Sequence, residues 1–197
     1  MEQNFFALIS RMRYIGRWGL MRNSLHENIQ EHSHMVAVLA HALAVVGKRI
    51  YGRQTDPDHC AAVALYHDAS EIITGDLPTP IKYSNETINR SYKELERQAN
   101  LRLLEMLAPE LREDFIPLMM ETDEETEAIV KAADKLSAYI KCIEERKAGN
   151  NEFISAEAQI LKTLKANPLP EVGYFIENFI PAFELTLDEL DVTKEKE

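Results

Sequence analysis

An all-α helical bundle is the fold class this sequence predicts, and three observations carry the expectation. Apolar residues recur at three- and four-residue spacing along most of the chain. Only seven glycines and eight prolines interrupt 197 residues, and the prolines fall mostly between the periodic stretches, which are therefore free to run as long helices. The 45% hydrophobic content is that of a soluble globular protein, and the length suits one well-buried domain over 1–197.

Phe5, Leu8, Ile9 and Met12 make one face of a short helix over 5–14, expected to pack on the main body. The following Arg17-Trp18-Gly19-Leu20-Met21-Arg22 has no clean periodicity and reads as a loop; it carries the only tryptophan. An arginine beside a tryptophan is a grip for a phosphate and a ring, but Trp18 can equally anchor the loop to the core beside a solvated Arg17. Residues 28–51 read as a helix in the middle of the bundle, because Met35 to Val46 is apolar on nearly every side. His32 and His34 lie two apart in it. At ~100° per residue they point to roughly opposite sides, so at most one faces a given centre, and an ordinary hydrogen-bonded imidazole stays open for each. His26 and His59 read as surface residues.

Asp56-Pro57-Asp58 is an N-cap followed by proline at the first helical position, and the helix is expected to run to about Thr74, where Gly75 stops it. His67 and Asp68 then sit on this helix. Glu71, four residues from one and three from the other, shares their sector. Gly75-Asp76-Leu77-Pro78-Thr79-Pro80 cannot be helical throughout, and its prolines make it a stiff wall for a pocket. Further on, residues 84–107 keep Ile88, Tyr92, Leu95, Ala99 and Leu103 in helical register, and Pro109 opens a shorter helix to about Met119. Thr122 to Glu125 has capping-box spacing and begins a long helix ending near Lys147, with Gly149 as terminator. Val130, Ala133, Leu136, Ser137, Ile140 and Ile143 form its buried stripe. Asp134 borders that stripe, a place where an aspartate is ordinarily solvated or capping. Residues 150–166 are amphipathic, 174–185 are rich in aromatics for core or subunit contact, Thr186 to Glu189 cap a last turn, and 193–197 are expected to fray.

The formal charge of -11 disfavours nonspecific binding to nucleic acid or to an anionic membrane, since phosphate-backbone affinity comes from clustered Lys and Arg. A small anionic substrate would need local positive charge from a metal or an arginine. Cys60 and Cys142 are the only cysteines and suit free, buried thiols better than a disulfide framework. The N-terminus has no basic leader, and Met35 to Val46 is too short to span a bilayer, so a cytoplasmic protein is expected.

The hardest stretch to explain as packing is Ala64 to Pro80, which sets His67 beside Asp68, with Glu71 three residues on, among Ala, Leu, Ile and Tyr. Burying those groups is costly unless something cationic satisfies them, and a divalent metal does so. A histidine from the second helix, the His67-Asp68 pair and an aspartate from a late helix would make a two-histidine, two-carboxylate site. Such mixed N/O ligation suits Mn, Co, Fe, Ni or Zn better than Ca.

The order His, His-Asp, Asp resembles the signature of HD-domain metal-dependent phosphohydrolases. Glu31-His32-Ser33, Tyr66-His67-Asp68-Ala69-Ser70-Glu71, Thr74-Gly75-Asp76-Leu77-Pro78-Thr79-Pro80 and Lys131-Ala132-Ala133-Asp134-Lys135-Leu136 together are similar to the bacterial 5'-deoxynucleotidases of the YfbR type, over nearly the whole chain. The resemblance implies an HD-domain helical bundle that hydrolyses deoxyribonucleoside 5'-monophosphates. It implies one divalent cation, cobalt, manganese or a similar transition metal, held by His32, His67, Asp68 and Asp134, and it favours His32 over His34. Glu71 would activate water, and Arg17 and Trp18 would meet the phosphate and sugar. Asp76, Leu77, Pro78 and Thr79 would line the deoxyribose side, with His32, Asp68 and Asp134 also bordering the substrate. A homodimer is implied as well. Two other readings remain: another HD phosphohydrolase acting on a nucleoside triphosphate or alarmone nucleotide, and a non-catalytic metal- or nucleotide-binding protein.

Overall fold

The computed structural model describes residues 3–82, 84–120 and 122–190, and among these every regular element is helical. In chain order they are α1 (Phe5–Ile9), a 3-10 turn (Ser10–Tyr14), α2 (Ile29–Ile50), α3 (Pro57–Tyr66), α4 (Glu71–Thr74) and α5 (Thr79–Lys82). Then come α6 (Glu86–Glu105), α7 (Pro109–Met119), α8 (Glu124–Lys147), α9 (Ile154–Lys165) and α10 (Pro170–Asn178), with 3-10 turns at Asn151–Phe153 and Ile180–Glu184. A single isolated antiparallel bridge, Gly16 to Asn28, is the nearest approach to a strand.

Helix α2 is central because its start is capped and its body is apolar. The Asn28 side chain accepts from the Glu31 backbone N–H at 3.0 Å while the Glu31 carboxylate accepts from Asn28 N–H at 3.3 Å, a complete capping box. Val36, Ala40, Leu43 and Ala44 are wholly buried and pack with Cys60 and Ala64 of α3, Ile129, Ala133, Leu136 and Ile143 of α8, and Val172 of α10. Every member of the stripe expected on α8 is buried. At about 1.5–3 kcal/mol for each fully buried large apolar side chain, this core is the main stabilising term. A second cluster joins Phe5 of α1, Leu103 and Leu104 of α6, Leu107, Met119 of α7, and Ala69 from the turn after α3. By length and composition α2 is a candidate membrane-crossing helix, contrary to the estimate from Met35 to Val46, but half of its apolar window is buried within the bundle, as in a core helix. Cys60 and Cys142 are both free and buried, as expected.

The structure corrects several sequence expectations. The third helix does not run to Thr74: α3 stops at Tyr66, with His67 as its C-cap. Residues 75–78 are non-helical, in keeping with the stretch not being helical throughout, but the loop ends two residues early, where α5 begins at Thr79 with Pro80 in its first turn. The cap of α8 is Asp123, whose carboxylate accepts from Glu125 N–H and Thr126 N–H, whereas the Thr122 hydroxyl donates to the Pro117 carbonyl. Ile88 and Leu95 are exposed, since α6 buries a narrower stripe of Tyr92, Ala99, Leu103 and Leu104. The side chain of Thr79 and the expected fraying of 193–197 lie outside the described residues.

Candidate metal centre

Three elements bring the site together. His32 lies one turn into α2 and is fully buried. Beyond Tyr66 the backbone tightens: the amides of Ala69, Glu71, Ile72 and Ile73 bond carbonyls three residues back, at 3.0, 3.0, 3.2 and 2.9 Å. At three residues per turn, positions 68 and 71 eclipse, which sets Glu71 over Asp68. Ala69, wholly buried in the second cluster, pins this turn to the bundle. The third contribution is Asp134, in the middle of α8.

Four side chains converge. The ligand atoms of His32, His67 and Asp68 all lie within 4.8 Å of one another. His67 Nε2 is 3.1 Å from Asp68 Oδ2, and His32 Nε2 is 3.6 Å from the same oxygen and 3.1 Å from Asp134 Oδ1. Ligands held at ~2.1 Å from a common ion sit roughly 3.0–3.4 Å apart when adjacent, for octahedral or tetrahedral angles. The separations therefore fit a divalent cation between them. The back of each ring supports that fit. His67 Nδ1 lies 2.7 Å from the Ala64 carbonyl, which can only accept, so Nδ1 carries a proton and the neutral ring would leave its Nε2 lone pair for a metal. His32 Nδ1 meets Ser137 Oγ at 3.2 Å. Both Nε2 atoms, and Glu71 Oε2, are buried without a hydrogen-bond partner. Orphaned donors and acceptors aimed at one point are what a metal would satisfy. His34, by contrast, is exposed on the far side of α2.

The local charges are strongly shifted. Burial opposes ionisation of Asp68, but the charge and hydrogen bonding of His67, with His32 beyond, hold it far below the usual carboxylate range. Asp134 is likewise held low against burial by its contact with His32, then by Lys135. His67 is raised: burial works against its charge, and Asp68 outweighs burial. Glu71 goes the other way, pushed up to about 9 by burial and then by Asp68 and Asp76, with Arg17 and Lys82 pulling it back.

The remaining sequence-derived residues border this centre. Arg17 reaches it from the loop before α2, with Nη1 3.5 Å from Asp68 Oδ2 and Nε 3.2 Å from Glu27 Oε2. Its pKa is raised, burial being outweighed by Asp68, Glu27, Asp134 and Asp76. Trp18 donates its indole N–H to Glu27 Oε2 at 2.7 Å and stands edge-on to Phe153, so the anchoring reading of this residue has direct contacts. Asp76, Leu77 and Pro78 form a half-buried segment between α4 and α5. It is tied to α6 where Tyr92 donates to the Gly75 carbonyl at 3.2 Å and Lys82 pairs with Glu96 at 2.6 Å. Burial raises the Asp76 carboxyl against the pull of Arg17. Three participants were missed by sequence reasoning. Ser137 was read as packing, although a hydroxyl in an apolar stripe needs a partner. Glu27 and Lys82 carried no local signal at all.

Known proteins resemble this chain in sequence and in fold. A family model described as 5'-deoxynucleotidase YfbR-like matches residues 4–183. A 5'-deoxynucleotidase of Yersinia pestis (strain Pestoides F) is 51% identical over 191 residues, covering 96% of this chain and 97% of the relative. Among solved structures, an HD-domain phosphohydrolase from Listeria innocua superposes with a TM-score of 0.78 at 22% identity, covering 91% of this chain and 88% of that one. A cyanophage S-2L HD phosphohydrolase, bound to dA and one catalytic zinc ion, superposes with a TM-score of 0.62 at 22% identity, covering 89% and 95%. At that identity the two structures speak for the shared fold.

Proposed function

The chain belongs to the YfbR-like 5'-deoxynucleotidase family, and we infer that it is a metal-dependent phosphomonoester hydrolase converting deoxyribonucleoside 5'-monophosphates to deoxyribonucleosides and phosphate. The observation that carries the reading is the pair of orphaned imidazole nitrogens, His32 Nε2 and His67 Nε2, facing the carboxylates of Asp68 and Asp134. These four residues would hold the cation. When bound, a divalent ion withdraws charge from phosphoryl oxygens and lowers the pKa of water from 15.7 towards ~7.

The chain's own groups divide the remaining work. Arg17 offers its guanidinium fork to the phosphate and supplies, locally, the positive charge that a chain of net charge -11 lacks. Without a cation Glu71 is held protonated; positive charge at the centre would oppose that rise, and the ionised Glu71 Oε2, buried and unpartnered, takes a proton from the attacking water as the new P–O bond forms. The same proton is then available to the departing 5'-oxygen as the scissile P–O bond breaks. Trp18 and the Asp76-Leu77-Pro78-Thr79 wall receive the sugar: Asp76 accepts from the 3'-hydroxyl, and the tethered wall leaves no place for a 2'-hydroxyl. A displaced or unpaired hydroxyl costs ~1–3 kcal/mol, roughly a 5- to 150-fold preference for deoxyribose. The same reading has the whole chain as one HD domain, working in the cytoplasm as a homodimer, with cobalt or manganese serving as the ion.

A phosphate-release screen of deoxyribo- and ribonucleoside monophosphates and deoxynucleoside triphosphates, with Mn, Co, Mg and Zn, tests the proposal. Metal-dependent release from several deoxyribonucleoside 5'-monophosphates, weak with ribonucleotides and 3'-monophosphates, is the expected result. Equal rates on both sugars would remove the sugar selection. Preferred cleavage of triphosphates would move the protein to another HD activity, and tight binding without release would make it a non-catalytic binder.

A further inference from the structure

Glu27 is outside the ligand set, and the mechanism above gives it no role. It immediately precedes the Asn28 cap of α2, and its backbone carbonyl accepts from Arg17 N–H at 2.9 Å beside the Gly16–Asn28 bridge. Its side chain is only 15% exposed and divides its two oxygens. Oε2 accepts from Trp18 Nε1 at 2.7 Å and from Arg17 Nε at 3.2 Å. Oε1 stands 3.8 Å from His32 Nδ1, behind the ring whose Nε2 faces the metal centre. One carboxylate thus touches the loop arginine and the loop tryptophan, and reaches the back of a ligand.

The surroundings are built to hold that carboxylate still. Glu145, 1% exposed, accepts from Ser24 N–H at 2.8 Å, from Leu25 N–H at 3.2 Å and from Asn150 Nδ2 at 2.8 Å. Lys141 donates to Glu145 and, at 2.6 Å, to the Leu25 carbonyl. The loop that ends in Glu27 is therefore clamped to α8. Trp18 itself sits at φ +59°, the one non-glycine residue in the left-handed region among those described. A bulky residue there persists only where its surroundings over-determine it, and the indole-to-Glu27 hydrogen bond is one of the determinants.

We propose that Glu27 is a positioning residue, fixing the Arg17 guanidinium and the Trp18 indole in the orientation in which they receive the nucleotide and indexing both to His32. For what Arg17 and Trp18 receive, this rests on the functional reading above; for the state of Trp18, it does not. Because Trp18 is the only tryptophan, its fluorescence reports the contact directly.

The test compares wild type, Glu27→Gln, Glu27→Ala, Arg17→Ala and the Arg17→Ala/Glu27→Ala double variant, with dAMP as substrate. Misplacing a phosphate-orienting group by about 1 Å costs on the order of 100-fold, so Glu27→Ala should lower kcat/KM by ~10- to 100-fold. The double variant should lose clearly less than the product of the two single-variant losses, because the part of the Glu27 effect that runs through Arg17 is already gone in Arg17→Ala and only the part that runs through Trp18 remains. Trp18 emission should shift and become more open to acrylamide quenching, with Glu27→Gln recovering part of both signals through its one remaining acceptor. Losses that multiply in the double variant, or an unchanged emission spectrum, would overturn the proposal. Should Glu27→Ala not fold, Glu27→Gln decides, and wild-type kcat/KM with wild-type emission in it would overturn the proposal equally. If wild type releases no phosphate from dAMP, the functional reading fails by itself. Emission then decides the hold on Trp18: a shift supports it, and no shift overturns it.

Discussion

Replacing Glu71 with glutamine should abolish turnover and yet stabilise the metal-free protein, increasingly so as pH rises. Glu71 is 5% exposed, and its pKa is pushed from 4.5 to about 9 by burial and by its neighbours Asp68 and Asp76. Between those values the folded protein keeps a proton that the unfolded chain has released. Stability from this group is therefore complete below 4.5 and is lost as pH rises through about 9. One proton corresponds to about 1.4 kcal/mol per pH unit, so between about pH 6 and about pH 8 wild type should lose on the order of 3 kcal/mol through Glu71. Glutamine has the same shape and no charge to lose, and its amide can donate towards the neighbouring carboxylates. At about 2–4 °C per kcal/mol for a chain of this size, the Tm advantage of Glu71→Gln should widen by about 5–10 °C over that interval. Thermal unfolding in chelator at the two pH values measures it, beside phosphate release from dAMP with metal restored. A Tm difference that does not widen, or that narrows, would refute the assignment of a burial-raised carboxyl at this position. Undiminished turnover would refute its place in the chemistry.

Two further outcomes follow from the same geometry. Arg17→Lys keeps the charge but cannot span Glu27 and Asp68 with one planar fork, so kcat/KM on dAMP should fall on the order of 100-fold with little change in Tm. Gly47→Ala would set a Cβ 2.7 Å from Glu171 Oε1, a wholly buried oxygen paired with Arg53. It should destabilise by about 1–3 kcal/mol, read as a lower Tm, while leaving kcat of the folded enzyme unchanged.

Helix starts were legible in the sequence because caps are local. Asp56 with Pro57, and Pro109, each announce a helix within four residues. Gly149, at φ +82°, marks the end of α8 as expected. The end of α3 was not legible, because nothing between Pro57 and Thr74 breaks a helix. What tightens the chain at His67 is the burial of Ala69 in a cluster drawn from α1, α6 and α7, a tertiary cause. Ile88 and Leu95 show the same limit, since helical register says which side chains share a face but not how much of that face a neighbour covers. At the site, His67-Asp68 stood out as charge in apolar surroundings. Asp134 did not: an aspartate at the edge of a helical stripe has many ordinary explanations, and only its 3.1 Å approach to His32 Nε2 separates it from them. Glu27 was invisible because its three partners are set by a loop whose path depends on Glu145 and Lys141 in α8.

Whether His32, His67, Asp68 and Asp134 hold a cation is read most directly from the metal content of the protein after equilibrium dialysis against cobalt or manganese. Wild type should retain about one equivalent per chain, and His67→Ala and Asp134→Asn, folded by circular dichroism, should retain well under half of that at the same free metal concentration. A full equivalent bound by His67→Ala would place the ion elsewhere and contradict the account.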